Sequence, residues 1–89
     1  MRLFKTTDEK LAEIGFMRAS ENNYGVCYQR ENKKYNYTHR LDILHKQSGK
    51  HLIQSYEEGT NNNVVGLTYY ETKLAMKKYR ELKRKYKWD

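Results

Sequence analysis

The apolar positions near the end of the chain recur every three or four residues, the period of a helix with one buried side. Thr68 lies three residues before Glu71, the spacing of a capping box, in which both side chains bind free amides of the first turn. The pattern predicts a long helix over residues 68–87. Its apolar side would consist of Leu67, Tyr70, Leu74, Ala75, Tyr79, Leu82 and Tyr86.

Between residues 16 and 56 the apolar period shortens to two, which predicts strands. The clearest alternation runs from Tyr35 to His45 and indicates a long central strand over residues 35–45. Shorter strands are predicted over residues 16–20, 24–30 and 51–56. Residues 57–66 form a predicted loop. Its first part, residues 57–63, is polar and includes three consecutive asparagines at 61–63, so this part is expected to be mobile.

The hairpin that follows the central strand carries Ser48 and Gly49 at its tip. A two-residue turn at this point sets the predicted pairing of the two strands. His51, which comes after the turn, would then point to the opposite face of the sheet from His45. The expected pairs are His45 with Leu52, Ile43 with Gln54, and Leu41 with Tyr56.

The chain is predicted to be one domain, residues 1–89, of the α+β class. A short N-terminal helix is predicted over residues 8–14, with Thr7 or Asp8 as its N-cap and Gly15 as its end. A sheet with one apolar face needs cover, so both helices are expected on the same face. The predicted architecture has two layers, in which a short N-terminal and a long C-terminal helix cover one face of an antiparallel sheet of three to four strands.

The net charge of +7 lies mostly in the predicted last helix. Residues 1–72 contain ten Lys and Arg against nine Asp and Glu, whereas residues 73–89 contain eight against two. Clustered positive charge favours nucleic acid, an acidic protein or an anionic membrane as partner. The membrane ranks third because the core requires the apolar side of this helix. The alternative is a lysine face that only keeps the protein in solution. The candidate anion-binding residues are Lys73, Lys77, Arg80, Lys83, Arg84 and Lys87.

Tyrosines and basic residues also alternate along the predicted strands, and Tyr35, Tyr37 and Arg40 are secondary candidates for binding an anionic partner. On an open sheet face, tyrosine rings could stack with the bases of single-stranded nucleic acid while Arg40 holds a phosphate. The alternative interpretation places these tyrosines half-buried in the core.

Catalytic and metal-binding chemistry has little support in the sequence. Cys27 is the only cysteine, which excludes an intramolecular disulfide and a cysteine zinc site. His39 and His45 lie on one strand about 20 Å apart, too far to share an ion, so the histidines are interpreted as exposed strand residues. The sequence contains no glycine-rich phosphate loop. We therefore predict no enzyme activity, no metal and no cofactor.

The start of the chain has no apolar segment typical of a signal peptide, and nowhere do about 18 apolar residues follow one another. Together with the lone Cys27, which is typical of a reducing compartment, this predicts a cytoplasmic protein without a membrane span.

The segment HKQSGKHLIQSY, from His45 to Tyr56, and the segment from Asn62 to Leu74 resemble small uncharacterised proteins of phages and prophages of Gram-positive bacteria. The setting of Gly25, in NYGV, fits the same resemblance, which covers most of the chain after residue 9. It carries no activity and no functional residues with it. The resemblance implies a cytoplasmic accessory protein in an infected or lysogenic cell, where small non-enzymatic proteins bind and redirect host machinery.

The first functional expectation is a non-enzymatic protein that binds a host or phage protein, for example to inhibit a defence or nucleic-acid-processing system. The second is a nucleic-acid-binding accessory factor that uses the basic C-terminal helix, and the third is a small enzyme. The oligomeric state is open between monomer and homodimer, because an edge strand at residues 16–20 could pair with a second copy of itself.

Overall fold

A computed structural model describes residues 4–59 and 63–88. These residues form two helices and a four-stranded antiparallel sheet. The elements are α1 (Thr7–Glu13), β1 (Met17–Asn22), β2 (Gly25–Asn32), β3 (Tyr37–His45), β4 (His51–Glu58) and α2 (Tyr69–Lys85). The strand order in the sheet is β1-β2-β3-β4. The predicted α+β fold, with a short N-terminal and a long C-terminal helix, is confirmed.

Both helices pack on the same face of the sheet. Alternation along β2 and β3 places every second side chain on that face, where α1 and α2 exclude water from the apolar ones. Burial of these side chains supplies the main free energy of folding. The core consists of Leu11, Phe16, Val26, Tyr28, Leu41, Ile43, Leu74, Ala75, Leu82 and Trp88.

The two helices begin with the same capping box. In α2 the Thr68 side chain accepts from the Glu71 amide, and Glu71 accepts from the Thr68 amide, as predicted. In α1 the pair is Thr6 and Glu9, so the predicted cap at Thr7 or Asp8 is wrong by one or two residues. Within residues 4–59 and 63–88, neither helix is long and apolar enough to cross a membrane.

The predicted inward side of α2 is largely correct, with one exception. Leu74, Ala75 and Leu82 are buried, but Tyr70 is 48% exposed. Glu71 and Lys78 are buried in its place, because carboxylates and cations from other elements meet them there.

The predicted register of the β3–β4 hairpin is wrong by one residue. The connection is a longer loop, in which the Lys46 amide donates to the Lys50 carbonyl and the Gly49 amide donates to the Lys46 carbonyl. The observed pairs are His45 with His51, Ile43 with Ile53, and Leu41 with Ser55. A one-residue slip moves every side chain of a strand to the other face. His51 therefore lies on the same face as His45.

The predicted loop over residues 57–66 is shorter than expected at both described ends. β4 continues to Glu58, and its Glu57 amide donates to the carbonyl of Asn63 (2.8 Å). Val64 forms a bridge with Tyr56, and the Val65 amide donates to the Ser55 carbonyl (3.0 Å). Asn61 and Asn62 of the predicted mobile loop lie outside the described residues.

Candidate functional site

All six predicted anion-binding residues are exposed on the outer side of α2 and just beyond its end. We call them the basic face: Lys73, Lys77, Arg80, Lys83, Arg84 and Lys87. Within residues 4–59 and 63–88, none of the six forms an ion pair. Their charges are therefore available to an anionic partner.

The basic face is elongated. At a rise of about 1.5 Å per residue, Lys73 and Arg84 lie about 16 Å apart along the helix axis, and Lys87 follows in the left-handed conformation (φ 54°). The two described carboxylates of α2 point elsewhere. Glu71 binds Arg30 (2.7 Å) and Glu81 accepts from the Thr7 hydroxyl (2.7 Å). Positive charge along this side of α2 is thus uninterrupted by acidic side chains of the helix.

The inward side of α2 is held by a buried carboxylate of β1. Glu21 lies 3.1 Å from Lys78 Nζ and 2.7 Å from Lys85 Nζ, and it accepts from the Tyr86 hydroxyl (2.8 Å). Burial opposes the charge of Glu21, but the hydrogen bonds from Lys85, Tyr86 and Lys78 outweigh it and lower the pKa of Glu21 to about 2. Lys78 also binds Asp8 of α1 (3.2 Å). Two lysines of α2 are thereby used internally, which fixes the orientation of the basic face.

A second polar network fixes the start of α2. Arg30 Nη1 donates to Glu71 (2.7 Å) and to the Ile14 carbonyl (3.1 Å), and its guanidinium lies 4.0 Å from the centroid of the Phe16 ring. Arg30 Nη2 lies 3.0 Å from Nδ1 of His39. Because a guanidinium can only donate, Nδ1 of His39 must accept.

The tautomer of His39 follows from this contact. The ring is neutral, with its proton on Nε2, which donates to the Ser55 hydroxyl (2.6 Å). Burial, and then the charge of Arg30, lower the pKa of His39 and favour the neutral form. A histidine arranged in this way has no free lone pair for the Ser55 proton and cannot serve as its general base.

The histidines are not exposed strand residues as predicted. His39 is fully buried, while His45 and His51 are half-buried and their ring centroids lie 4.9 Å apart. Trp88 packs on both histidines, and its ring centroid lies 5.2 Å from that of His45 and 5.7 Å from that of His51. Among residues 4–59 and 63–88 no group of three or more His, Cys, Asp or Glu is placed to hold a metal ion.

Tyr35, Tyr37 and Arg40 do not assemble into one surface. Tyr35 precedes β3, in the turn, and is exposed, whereas Tyr37 is half-buried and accepts a hydrogen bond from Asn32 (3.3 Å). Arg40 lies on the face of the sheet away from the helices, where Asp42 (3.1 Å) and Glu58 (3.2 Å) neutralise it. The predicted stacking platform is therefore not formed by these three residues.

Cys27 lies beside Asp42 on the sheet face away from the helices, yet its side chain is buried. Burial, followed by a hydrogen bond and charge repulsion from Asp42, raises the pKa of the Cys27 thiol from 9.0 to about 11. The thiolate is the nucleophilic form of cysteine, so this environment disfavours a role for Cys27 in covalent chemistry.

We expect native Cys27 to react with iodoacetamide at pH 8 at least about a hundredfold more slowly than the same cysteine in urea-unfolded chain. The raised pKa alone lowers the thiolate fraction by about this factor, and burial of the sulfur slows attack further. Mass spectrometry of timed samples measures both rates. Similar rates in the folded and unfolded chain would show that the thiol is accessible and ionises normally.

Apolar side chains adjoin the basic face. Tyr69 is 80% exposed and Met76 is 40% exposed, and both project from the same outer half of α2 as the cations. The Nζ atom of Lys73 lies 5.5 Å from the centroid of the Tyr69 ring. The sequence pattern identified the cations but missed these apolar neighbours, because their positions differ little in helical phase from those of the cations.

No known protein family, curated protein or solved structure matches this chain in the comparisons made.

Proposed function

We propose that this chain is a non-enzymatic binding protein that docks on an acidic surface of another protein through the basic face of α2. The observation that carries the proposal is the basic face itself, six exposed cations without an ion pair among residues 4–59 and 63–88. In the setting that the sequence resemblance implies, the partner is a host or phage protein. Binding could inhibit a defence or nucleic-acid-processing system.

The distribution of acidic residues supports this proposal. Six carboxylates lie between elements of the fold, where they bind cations or hydroxyls of neighbouring strands and helices. The remaining surface charge is therefore mainly positive, which favours association with an acidic partner and raises its rate. These six carboxylates are Asp8, Glu21, Asp42, Glu58, Glu71 and Glu81.

The side chains next to the cations favour a protein partner over a nucleic acid. Interfaces between proteins are enriched in tyrosine, methionine and arginine, and Tyr69, Met76, Arg80 and Arg84 share the outer half of α2. Phosphate contacts would use only the cations. An acidic protein surface with apolar residues would use both classes of side chain.

Nucleic-acid binding is the second candidate, and the regular spacing of the cations favours it. Lys73, Lys77, Arg80, Arg84 and Lys87 recur every three or four residues, so they could follow a line of phosphates. Five neutralised phosphates would give a slope of about −4 to −5 for the logarithm of the affinity against the logarithm of the salt concentration. A protein partner with fewer ion pairs gives a shallower slope.

The test is capture of partners from host lysate on immobilised protein, with and without nuclease treatment. A protein partner that survives the nuclease supports the first proposal. Capture that disappears with nuclease, together with steep salt dependence on purified DNA or RNA, supports the second. Capture of neither contradicts both.

Replacing Arg80 and Arg84 together by glutamate should lower the amount of captured partner at least tenfold, because the centre of the basic face changes sign. Both residues are exposed, so the urea midpoint should stay unchanged. The matched control replaces Lys33 and Lys34 by glutamate, which makes the same change of net charge at exposed positions in the β2–β3 turn. Equal losses in the two variants would mean that net charge matters and the basic face does not.

A further inference from the structure

Part of the outer edge of β4 carries backbone groups that have no partner among the described residues. The Ser55 carbonyl and the Glu57 amide point outward, since they bind Val65 and Asn63. Outward and inward backbone groups alternate along an antiparallel strand, so the amides and carbonyls of His51 and Ile53 point outward too. No residue in the described part of the chain pairs with them there, because residues beyond Val65 leave this edge and lead into α2.

An apolar groove lies beside this free part of the edge. It has a volume of about 320 Å3 and runs between β4 and α2, with His51, Leu52, Ile53, Met76 and Tyr79 as its lining. Leu52 and Ile53 are each 37% exposed, and Met76 is 40% exposed. His51 and Tyr79 are hydrogen-bonded to each other through Nδ1 and the hydroxyl. A groove of this size and lining can bury an apolar side chain of a bound chain.

Cations without described ion pairs lie towards one end of the groove. Lys50 is exposed and directly precedes His51. Lys83 follows Met76 by seven residues, so it lies on the same side of α2 two turns further on. Neither lysine forms an ion pair within residues 4–59 and 63–88, and no carboxylate lines the groove. The local charge therefore suits an acidic occupant.

We propose that this edge and groove bind an extended segment of a partner protein, in which acidic residues flank one apolar residue. The segment adds a strand to β4 through the backbone of His51 and Ile53, and its apolar side chain enters the groove next to Met76. This mode gives affinity through main-chain hydrogen bonds and specificity through the side-chain pocket. The inference rests on the proposed function and specifies the partner's binding segment.

The same features argue against the other occupants. A second copy of this chain would bring Lys50 and Lys83 towards another molecule that also carries a net charge of +7, which costs free energy through repulsion. A nucleic acid has no alternating amide and carbonyl groups to pair with a strand edge, and its phosphates gain nothing from an apolar groove.

The test is a selection from a displayed library of random ten-residue peptides against the whole protein. We expect the enriched peptides to carry an apolar residue flanked by Asp or Glu. On binding one of them, the amides of His51 and Ile53 should exchange with deuterium at least about tenfold more slowly. Enrichment of neutral or basic peptides, no enrichment, or unchanged exchange at His51 and Ile53 would overturn the proposal.

A variant of β4 tests the strand edge. Ile53→Pro removes an amide that points outward and leaves the hydrogen bonds between β4 and β3 intact, because proline is tolerated at such an edge position. It should lower the affinity for the enriched peptide about fivefold to tenfold.

A variant of α2 tests the groove. Met76→Glu places a charge in the groove and should lower the affinity for the enriched peptide more than tenfold. Met17→Glu, the same change at an exposed methionine of β1, should leave the peptide affinity unchanged. Equal affinities of Met76→Glu and Met17→Glu would overturn the proposal.

Failure of the groove proposal can be distinguished from failure of the proposed function by comparing two variants in the capture experiment. Loss of the captured partner in the Arg80→Glu, Arg84→Glu double variant with full retention in Met76→Glu would leave the basic face standing and overturn the groove. Loss in Met76→Glu with full retention in the double variant would support the groove and contradict the basic face.

Discussion

Replacing Gly25 by alanine should destabilise the protein by about 3–5 kcal/mol, which combines backbone strain with overpacking. Gly25 begins β2 with φ +146°, a conformation that side-chain-bearing residues rarely adopt, and it pairs with Leu44 of β3. A Cβ atom at this position would lie 2.1 Å from the Ile43 carbonyl oxygen. That oxygen belongs to the central strand and cannot move without shifting the ladder. Urea unfolding followed by circular dichroism measures the loss.

The control is Gly66→Ala. Gly66 lies between β4 and α2 and has no positive φ. Apart from its two chain neighbours, no described residue has an atom within 4 Å of the position that a Cβ would take. The same substitution should therefore change the free energy of unfolding by less than about 0.5 kcal/mol. If both variants unfold at the same urea concentration, the close approach of β2 and β3 at Gly25 does not constrain the fold.

Helices and strands were predictable because their signals are local. The capping box of α2 needs only Thr68 and Glu71 at the correct spacing, and the alternation of β3 needs only successive residues of one strand. A sheet with one apolar face then requires helices on that face. These steps use no distance between remote parts of the chain, which is why the two-layer α+β architecture follows from the sequence.

Register and burial of polar residues were not predictable in the same way. The β3–β4 register depends on the backbone path of the turn, and an error of one residue placed His51 on the wrong face. Nothing in the sequence indicated that Lys78 and Glu71 are buried, because charged residues are seldom buried without a partner. Both are buried because Glu21 and Arg30, from other elements, compensate their charges. Such pairs form only when the elements have assembled.

The candidate site likewise has one part that was predictable from the sequence and one part that was not. The six residues of the basic face are exposed as the helical period predicts, since they lie opposite the apolar side of α2. The groove between β4 and α2 was not predictable, because its lining from Ile53 and Met76 depends on the register of β4 and on where α2 crosses the sheet. The pairing of Arg40 with Asp42 and Glu58 was not predictable either, because Glu58 lies on another strand, β4.

Replacing Glu21 by glutamine should cost about 3 kcal/mol of stability at pH 7, the lower end of the range for breaking a buried ion pair. The change keeps the size of the side chain but removes the charge that compensates Lys78 and Lys85. The Lys78 side chain is only 10% exposed, so its charge cannot be fully hydrated instead. Asp8 still binds Lys78 and limits the loss. Urea unfolding at pH 7 measures it.

The stability that Glu21→Gln removes should be smaller at acidic pH than at pH 7. The pKa of Glu21 is lowered from 4.5 to about 2 in the folded protein, so its contribution is complete above pH 4.5 and is lost as the pH falls towards 2. The difference in stability between the native chain and Glu21→Gln should shrink over that interval. Glu31→Gln, at an exposed residue of β2 without a described ion pair, should give a difference below about 0.5 kcal/mol throughout.

Glu21→Gln also tests whether the basic face acts through its own charges. None of the six residues of the basic face binds Glu21, which holds α2 from the opposite side through Lys78, Lys85 and Tyr86. At a temperature where both proteins are folded, the variant should bind the captured partner as tightly as the native chain. Weaker binding by a fully folded variant would mean that the position of α2 on the sheet, and not only the exposed charges, determines recognition. Arg80→Glu with Arg84→Glu should show the converse, with unchanged stability and lost binding.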